Sequence, residues 1–150
     1  QYPVRHWRKV VASLSTRIKI VLLGSPDPAE LALCAQIADG LGPNVINLAG
    51  QTSIPQLVAV IARSAGVICS DSAAKFIAPA VGVDSVTVIG PTRVELTGPY
   101  LQGQPVVANV RCQGCLKKRC RHISCMELIS PDDVIAAAER MLNKKALARH

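Results

Sequence analysis

The stretch VICSDSAAKFIA, residues 67–78, followed by VTVIGPT, residues 86–92, decides the fold. An apolar, β-branched run ends in small polar residues, and a helix-compatible segment follows at once. A second apolar run then ends in Gly-Pro-Thr. This order predicts a strand, a tight turn, a helix and a second strand, which is the repeating unit of a parallel α/β sheet.

Three polar residues, Ser70, Asp71 and Ser72, follow the first of these predicted strands. In parallel α/β sheets, ligands bind beyond the carboxyl ends of the strands, where helix N-termini offer free N–H groups to phosphate. The hydroxyls and the carboxylate are therefore candidates for binding a polar ligand. The same residue types also cap helices, so simple capping by Asp71 or Ser72 is the alternative explanation.

Length and composition predict a single domain covering residues 1–150. The chain is 49% hydrophobic, which is enough for one good core at this length. No run approaches the ~18 consecutive apolar residues of a membrane span. The chain begins without Met and without a signal-like segment, so we expect it to be a piece of a longer protein.

Charge and aromatic content restrict the partners. A formal net charge of +7 favours anionic partners such as nucleotides, nucleic acids or acidic membrane surfaces. Aromatic residues make up only 3% of the chain, which is thin for the stacking platforms of single-strand binders. Nucleic acid is therefore the least favoured of these partners.

The rest of the sequence continues the alternation of helices and strands. Asp27 before Pro28 marks a helix start, and Ser53 with Gln56 forms a capping box. Ser130 caps the last predicted helix. Further helices are predicted at 4–15, 28–41, 53–64 and 130–145, and further strands at 18–23, 45–48 and 106–110. This alternation predicts a three-layer α/β fold with a parallel sheet.

Several short motifs resemble those of glycosyltransferase family 9, the ADP-heptose:lipopolysaccharide heptosyltransferases and their relatives. The motifs are VLLGSP at 21–26, NLAGQTS at 47–53, the pair Asp71-Ser72, GPT at 90–92 and TGPY at 97–100. The cysteine-rich tail and SPDDV at 130–134 are also similar to that family. The resemblance covers nearly the whole chain and rests on the order and spacing of the motifs.

The resemblance implies a Rossmann-like fold, the C-terminal half of a two-domain GT-B glycosyltransferase. That half binds the nucleotide sugar, such as ADP-heptose, and the N-terminal acceptor domain would be its missing partner. The implied function is a transferase of bacterial lipopolysaccharide or surface-glycan synthesis. We then expect a cytoplasmic protein, with the surface of the inner membrane as a further candidate partner.

The resemblance also implies a donor site, residue by residue. Asp71, Ser72, Ala73 and Ala74 would line the pocket, with backbone amides facing the diphosphate and the carboxylate near the sugar. Thr92 would form a second wall at the end of the neighbouring strand. Thr52, after a third strand, would reach the base or the ribose.

The family pattern Asp-Ser/Thr-Gly-x-x-His is only partly kept. Ala73 replaces the Gly, which removes freedom for close backbone approach, and Phe76 replaces the His, which removes a donor to phosphate. Lys75 is a poor substitute, because neighbouring helix residues point in different directions. We expect Phe76 instead to face the core. No catalytic base can be named, because the family's base is expected from the N-terminal domain.

Four of the six cysteines fall within residues 111–126, here called the four-cysteine loop. They are Cys112, Cys115, Cys120 and Cys125, among the basic residues Arg111, Lys117, Lys118, Arg119 and Arg121. The C-x2-C spacing with two further thiols suits a structural zinc or iron site with four thiolates, and no redox cofactor is expected. His122 could replace one ligand. Two disulfides, or free thiols, are the alternatives that the spacing leaves open.

Two classes of function therefore remain open. The first is the donor-binding domain of a glycosyltransferase, and the second is a basic four-cysteine finger that binds nucleic acid or a partner protein. The ordered α/β pattern before residue 111 favours the first, because a finger does not need it. The other two cysteines, Cys34 and Cys69, are predicted to be core residues.

Overall fold

The computed structural model describes residues 1–101, 103–117 and 119–147. Lys118, one of the basic residues of the four-cysteine loop, lies outside the described residues. The chain divides into two compact units, one formed by residues 3–57 and the other by residues 1–2 and 58–150.

The unit formed by residues 3–57 pairs two parallel strands. Its elements are α1 (Val4–Ser15), β1 (Ile20–Leu22), α2 (Pro28–Ala38) and β2 (Val45–Asn47), and α3 (Ile54–Ala62) begins here and runs across the boundary. The Asp27 carboxylate accepts hydrogen bonds from the amides of Ala29 and Glu30, and so caps α2 as predicted. The Ser53–Gln56 capping box is also present, with the Ser53 amide donating to Gln56 Oε1 at 2.8 Å.

The second unit contains a three-stranded parallel sheet in the order β3-β4-β5. Its elements are β3 (Val67–Ser70), α4 (Ala74–Ala80), β4 (Ser85–Ile89), α5 (Val94–Thr97), β5 (Gly103–Val107), α6 (Ser124–Glu127) and α7 (Pro131–Leu147). The central strand β4 is buried along its whole length. Burial along the whole strand is typical of a parallel sheet whose two faces are both covered.

The core of this unit lies between β4 and α7. Val86 and Val88 of the strand and Val134 and Ala138 of the helix are all fully buried. α7 begins where predicted, since the Asp132 amide donates to Ser130 Oγ at 3.1 Å. Two acidic residues in its first turn and two lysines in its last turn complement the helix dipole.

The predicted parallel α/β fold is confirmed, with corrections to individual elements. The strands form two hydrogen-bonded groups, β1-β2 and β3-β4-β5, one in each unit. β5 spans Gly103–Val107, so the predicted strand at 106–110 was placed three residues too late. The short helices α5 and α6 were not predicted. Among the described residues, no helix is long and apolar enough to cross a membrane.

Candidate functional site

The predicted donor residues Asp71 and Thr92 emerge at the same edge of the β3-β4-β5 sheet. β3 and β4 run parallel, with Ser70 paired to Val88 in register. Asp71 directly follows β3, and Thr92 lies three residues beyond the end of β4. The two strands therefore bring these side chains together, as expected for the carboxyl ends of parallel strands.

The Asp71 carboxylate is the centre of this site. Its Oδ2 accepts a hydrogen bond of 2.5 Å from the Thr92 hydroxyl, and its Oδ1 pairs with the Lys75 ammonium. Partial burial by itself would raise the pKa of Asp71. The hydrogen bonds from Lys75 and Thr92 and the lysine charge outweigh that effect and lower the pKa below its usual value. The carboxylate is therefore charged at neutral pH and held in one position.

Lys75 lies at this site, where its ammonium is paired with Asp71. That it is a poor substitute for the missing His stays a prediction. Only 2% of its surface is exposed, and its ammonium lies 4.7 Å from the centre of the Phe76 ring as well as against Asp71. Asp71 and Lys75 are four residues apart, a spacing at which side chains meet across a helical turn.

The capping explanation for Asp71 and Ser72 is wrong. Ala73 is the residue at the N-cap of α4, and no side chain makes a capping hydrogen bond there. Asp71 is instead engaged by Lys75 and Thr92. Ser72 and Ala73 are exposed, and Ala74 is partly exposed, so this turn faces solvent beside the carboxylate.

Phe76 does not face the core. It is 48% exposed, and its ring is tilted against that of Tyr100 with 6.3 Å between the ring centres. The prediction failed because the core-facing position of α4 is occupied by the aliphatic stem of Lys75 rather than by the aromatic residue. The two exposed rings give this edge of the site an apolar border.

Thr52 belongs to the other unit and is described only within it. It lies between β2 and α3 and is partly exposed. The preceding turn is ordered by Asn47, whose side chain accepts a hydrogen bond from the Ala49 amide and whose carbonyl accepts one from the Gln51 side chain. The role of Thr52 in donor binding stays a prediction.

The four-cysteine loop is attached to the segment that carries Thr92. The Leu116 amide donates to the Pro91 carbonyl at 2.8 Å, and the Gln113 side chain donates to the Gly90 carbonyl at 2.8 Å. Arg93, which follows Thr92, also bonds to the loop, because its Nε donates to the Gly114 carbonyl at 3.1 Å. The sequence does not indicate that Gln113 and Arg93 join these segments. Their hydrogen-bonding partners lie 23 and 21 residues away, and no local sequence pattern indicates such a contact.

The four cysteines of the loop line one cavity of about 90 Å³, together with His122 and Met126. In the described part of the chain all six cysteine sulfurs are unpaired. Within those same residues, no group of three or more His, Cys, Asp or Glu side chains is arranged so that it could hold a metal ion as it stands. The zinc or iron site therefore stays a prediction at this point.

The two remaining cysteines are buried, as predicted. Cys34 lies in α2, and Cys69 lies in β3 with its sulfur 3.6 Å from the Thr87 hydroxyl. Burial raises the pKa of the Cys69 thiol despite the opposing effect of the Thr87 hydrogen bond. A neutral, buried thiol of this kind behaves as a small apolar side chain.

The family model and the similar proteins described next are all heptosyltransferases or members of their family. A family model described as glycosyltransferase family 9 (heptosyltransferase) matches residues 1–125. The lipooligosaccharide heptosyltransferase 2 of Campylobacter jejuni is 28% identical over 154 residues, an alignment that covers 98% of this chain and 48% of that protein. The chain thus spans about half the length of this curated relative.

Two solved structures share the fold. The Escherichia coli ADP-heptose LPS heptosyltransferase II superimposes with a TM-score of 0.80 at 21% identity, covering 97% of this chain and 43% of that one. The Escherichia coli heptosyltransferase WaaC with ADP superimposes with a TM-score of 0.77 at 22% identity, covering 94% and 40%. The fold implied by the sequence motifs is therefore confirmed.

Proposed function

Because this chain belongs to glycosyltransferase family 9, the heptosyltransferase family, we propose that it is the nucleotide-sugar-binding part of a bacterial glycosyltransferase. The reaction class would be transfer of a sugar to lipopolysaccharide or another surface glycan. The transfer reaction would take place on the cytoplasmic side of the inner membrane, where activated nucleotide sugars are available. ADP-heptose is the donor that we propose.

The observation that carries this proposal is the Asp71–Thr92 hydrogen bond across the ends of β3 and β4. It fixes a charged carboxylate at the edge of a parallel sheet where nucleotides bind in α/β folds. The exposed residue Ser72 follows it in the chain and makes no helix-capping hydrogen bond. A carboxylate can accept hydrogen bonds from sugar hydroxyls, while a hydroxyl can donate to a phosphate oxygen.

The choice of donor is supported by the relatives. One similar structure is named as an ADP-heptose heptosyltransferase, and another is described with ADP. The net charge of +7 of this chain is consistent with an anionic ligand such as a nucleoside diphosphate sugar.

The chemistry would be displacement at the anomeric carbon of the donor. An acceptor hydroxyl forms a new C–O bond there, the bond from that carbon to the diphosphate oxygen breaks, and ADP leaves with the electron pair. A general base takes the proton of the acceptor hydroxyl. We assign no base in this chain and propose that it comes from the part of the enzyme that binds the acceptor. The residues described here would bind and orient the donor.

The departures from the family pattern predict a weak site in the isolated chain. Ala73 stands where relatives carry Gly, and Phe76 stands where they carry His. The Lys75 ammonium lies near the lost His position, but its charge is already paired with Asp71. We propose that donor binding by this chain alone is weak and that sugar transfer requires the rest of the enzyme.

The finger alternative has less support. The family match extends to residue 125 and so includes all four cysteines of the loop. The loop also donates hydrogen bonds to Gly90 and Pro91 at the end of β4, as an integral part of this unit would. We therefore treat the four-cysteine loop as part of the glycosyltransferase domain.

Calorimetric titration tests the proposal. The full chain is titrated in one buffer with ADP-heptose, ADP, a UDP-sugar and a short single-stranded RNA. We expect heat from ADP-heptose and ADP, a weaker response to the UDP-sugar and none from RNA. Binding of RNA without binding of any nucleotide sugar would contradict the proposal and favour the finger.

A further inference from the structure

The four-cysteine loop carries a cluster of thiols that have no role in the proposed donor site. We propose that its four cysteines bind one structural metal ion, zinc or iron, which fixes the loop against the end of β4. The ligands would be Cys112, Cys115, Cys120 and Cys125. All four residues line one cavity of about 90 Å³, which is large enough for an ion but not for a nucleotide.

Two of the ligands are presented by a tight turn. The Cys115 amide donates to the Cys112 carbonyl at 3.2 Å, and both residues line the cavity. Cys125 faces the cavity from the first turn of α6, where it is 7% exposed. Soft thiolates from a tight turn and a helix are the donor set that tetrahedral zinc and iron sites use.

The charges around the loop suit such a site. Four thiolates with one divalent ion carry a net charge of about −2, which needs compensation. Basic residues flank the cysteines in the sequence, and those within the described residues are Arg111, Lys117, Arg119 and Arg121. One of these basic residues, Lys117, lines the same cavity as the four cysteines.

Metal binding requires the loop to close. Within the described residues, the sulfurs are not yet arranged so that three of them could hold one ion. Cys115 and Cys120 are exposed, so they can move towards the cavity without disrupting a packed core. Leu116 and Ile123 hold φ angles of 60° and 36°, which non-glycine residues rarely adopt, so the loop needs stabilisation beyond its hydrogen bonds.

His122 lines the same cavity but is not the fourth ligand in this proposal. Its Nδ1 accepts a hydrogen bond from the Ser124 amide at 3.3 Å and lies 2.9 Å from the Ser124 hydroxyl. This ring nitrogen is therefore already engaged within the loop. The proposal therefore commits to four thiolates.

Elemental analysis of the full chain, purified under reducing conditions without added metal, tests the proposal directly. We expect about one zinc or iron per chain, as in other four-thiolate sites. Cys112→Ser and Cys125→Ser should lose the metal. Cys34→Ala and Cys69→Ala, which change buried cysteines elsewhere, and His122→Ala should retain it.

Cobalt substitution gives a second readout on the wild-type chain and so does not depend on whether a variant folds. After removal of the native metal, added Co²⁺ should produce the visible absorption bands of a tetrahedral thiolate site. A wild-type chain that contains no metal and shows no such bands would overturn the proposal. Cysteines of the loop found as disulfides in the freshly purified protein, or loss of metal from His122→Ala, would overturn it as well. None of these measurements uses a nucleotide sugar, so they stand independently of the proposed function.

Discussion

The Thr92 hydroxyl donates to the Asp71 carboxylate over 2.5 Å and so joins the loops that follow two neighbouring parallel strands. The segment that carries Thr92 is in turn held by the four-cysteine loop through Gly90 and Pro91. One carboxylate is thus positioned by residues from three separate parts of the chain.

Thr92→Val should raise the pKa of Asp71, because it removes a hydrogen bond that stabilises the charged carboxylate. The free energy of unfolding should fall by about 1–2 kcal/mol. This is near the lower end of the range for hydrogen bonds to charged groups, because the Asp71–Thr92 pair is partly exposed to solvent. NMR titration of Asp71 and urea denaturation measure the two effects. Thr16→Val, which removes a hydroxyl bound to the Ser13 carbonyl, is the matched control and should leave the Asp71 titration unchanged. An unaltered pKa in Thr92→Val would show that the bond is not formed in solution.

Asp71→Asn should destabilise the protein more than Lys75→Met does. The lysine is 2% exposed, whereas the Asp71 side chain is 23% exposed. Removing the carboxylate leaves a buried ammonium unpaired, at a cost of about 3–5 kcal/mol, while the carboxylate left by Lys75→Met can still reach water. The double variant Asp71→Asn/Lys75→Met should recover part of the loss. Urea denaturation of the three variants checks this order, and a larger loss in Lys75→Met would contradict it.

The stabilisation by Asp71 should depend on pH. The folded state lowers the pKa of this carboxyl, so it binds the proton less tightly than the unfolded chain does. The stabilisation is therefore fully present above the unfolded-state value of about 3.9 and is lost as the pH falls through the lower folded-state pKa. The difference in free energy of unfolding between the wild type and Asp71→Asn should be constant near neutral pH and shrink below about pH 4. A difference that grows on acidification would be the opposite of this expectation.

Tyr2→Phe should remove a stabilising contribution that depends on alkaline pH. The Tyr2 hydroxyl donates to the Ile129 carbonyl at 3.1 Å. Burial, with the nearby charges of Asp133 and Asp132, raises the pKa of Tyr2 from 10.0 to about 12. Its contribution is present below pH 10 and is lost as the pH rises towards 12.

Thermal unfolding of the wild type and the variant across this range measures the effect. At neutral pH the free energy of unfolding of Tyr2→Phe should be about 1 kcal/mol lower than that of the wild type. This difference should become smaller as Tyr2 of the wild type ionises. Tyr100→Phe, at a tyrosine that is 49% exposed, is the control and should show little change. A gap between wild type and Tyr2→Phe that persists undiminished at the highest pH would contradict the assignment.

Most of the fold can be predicted from the sequence, because the helix-capping residues and the alternation of predicted helices and strands indicate the same order of elements. The Asp27 cap, the Ser53–Gln56 box and the Ser130 cap all form as predicted. β5 was misplaced because Gly103 and Pro105 are typical turn residues. Since β5 lies at the edge of its sheet, a proline there removes no necessary hydrogen bond.

The site was harder to predict than the fold. The positions of Asp71 and Thr92 follow from strand order alone, but the environment of α4 does not. A buried lysine with an exposed phenylalanine beside it reverses the usual preference of both residue types. The ion pair with Asp71 explains this reversal, because it compensates the buried charge. Contacts such as Gln113 with Gly90 join distant segments and leave no periodic pattern in the sequence.

Calorimetric titration of the full chain with ADP-heptose, comparing Ser72→Ala and Asp71→Asn with the wild type, tests the central claim most directly. Asp84→Asn is the matched control, since it removes a carboxylate that also pairs with a lysine but precedes β4 at the opposite end of the strand. We expect both site variants, shown to be folded, to bind roughly tenfold or more weakly, as loss of a charge-assisted contact of ~1.5–3 kcal/mol requires. The control should bind like the wild type. Tight binding that neither site substitution changes would contradict the placement of the donor site at the ends of β3 and β4.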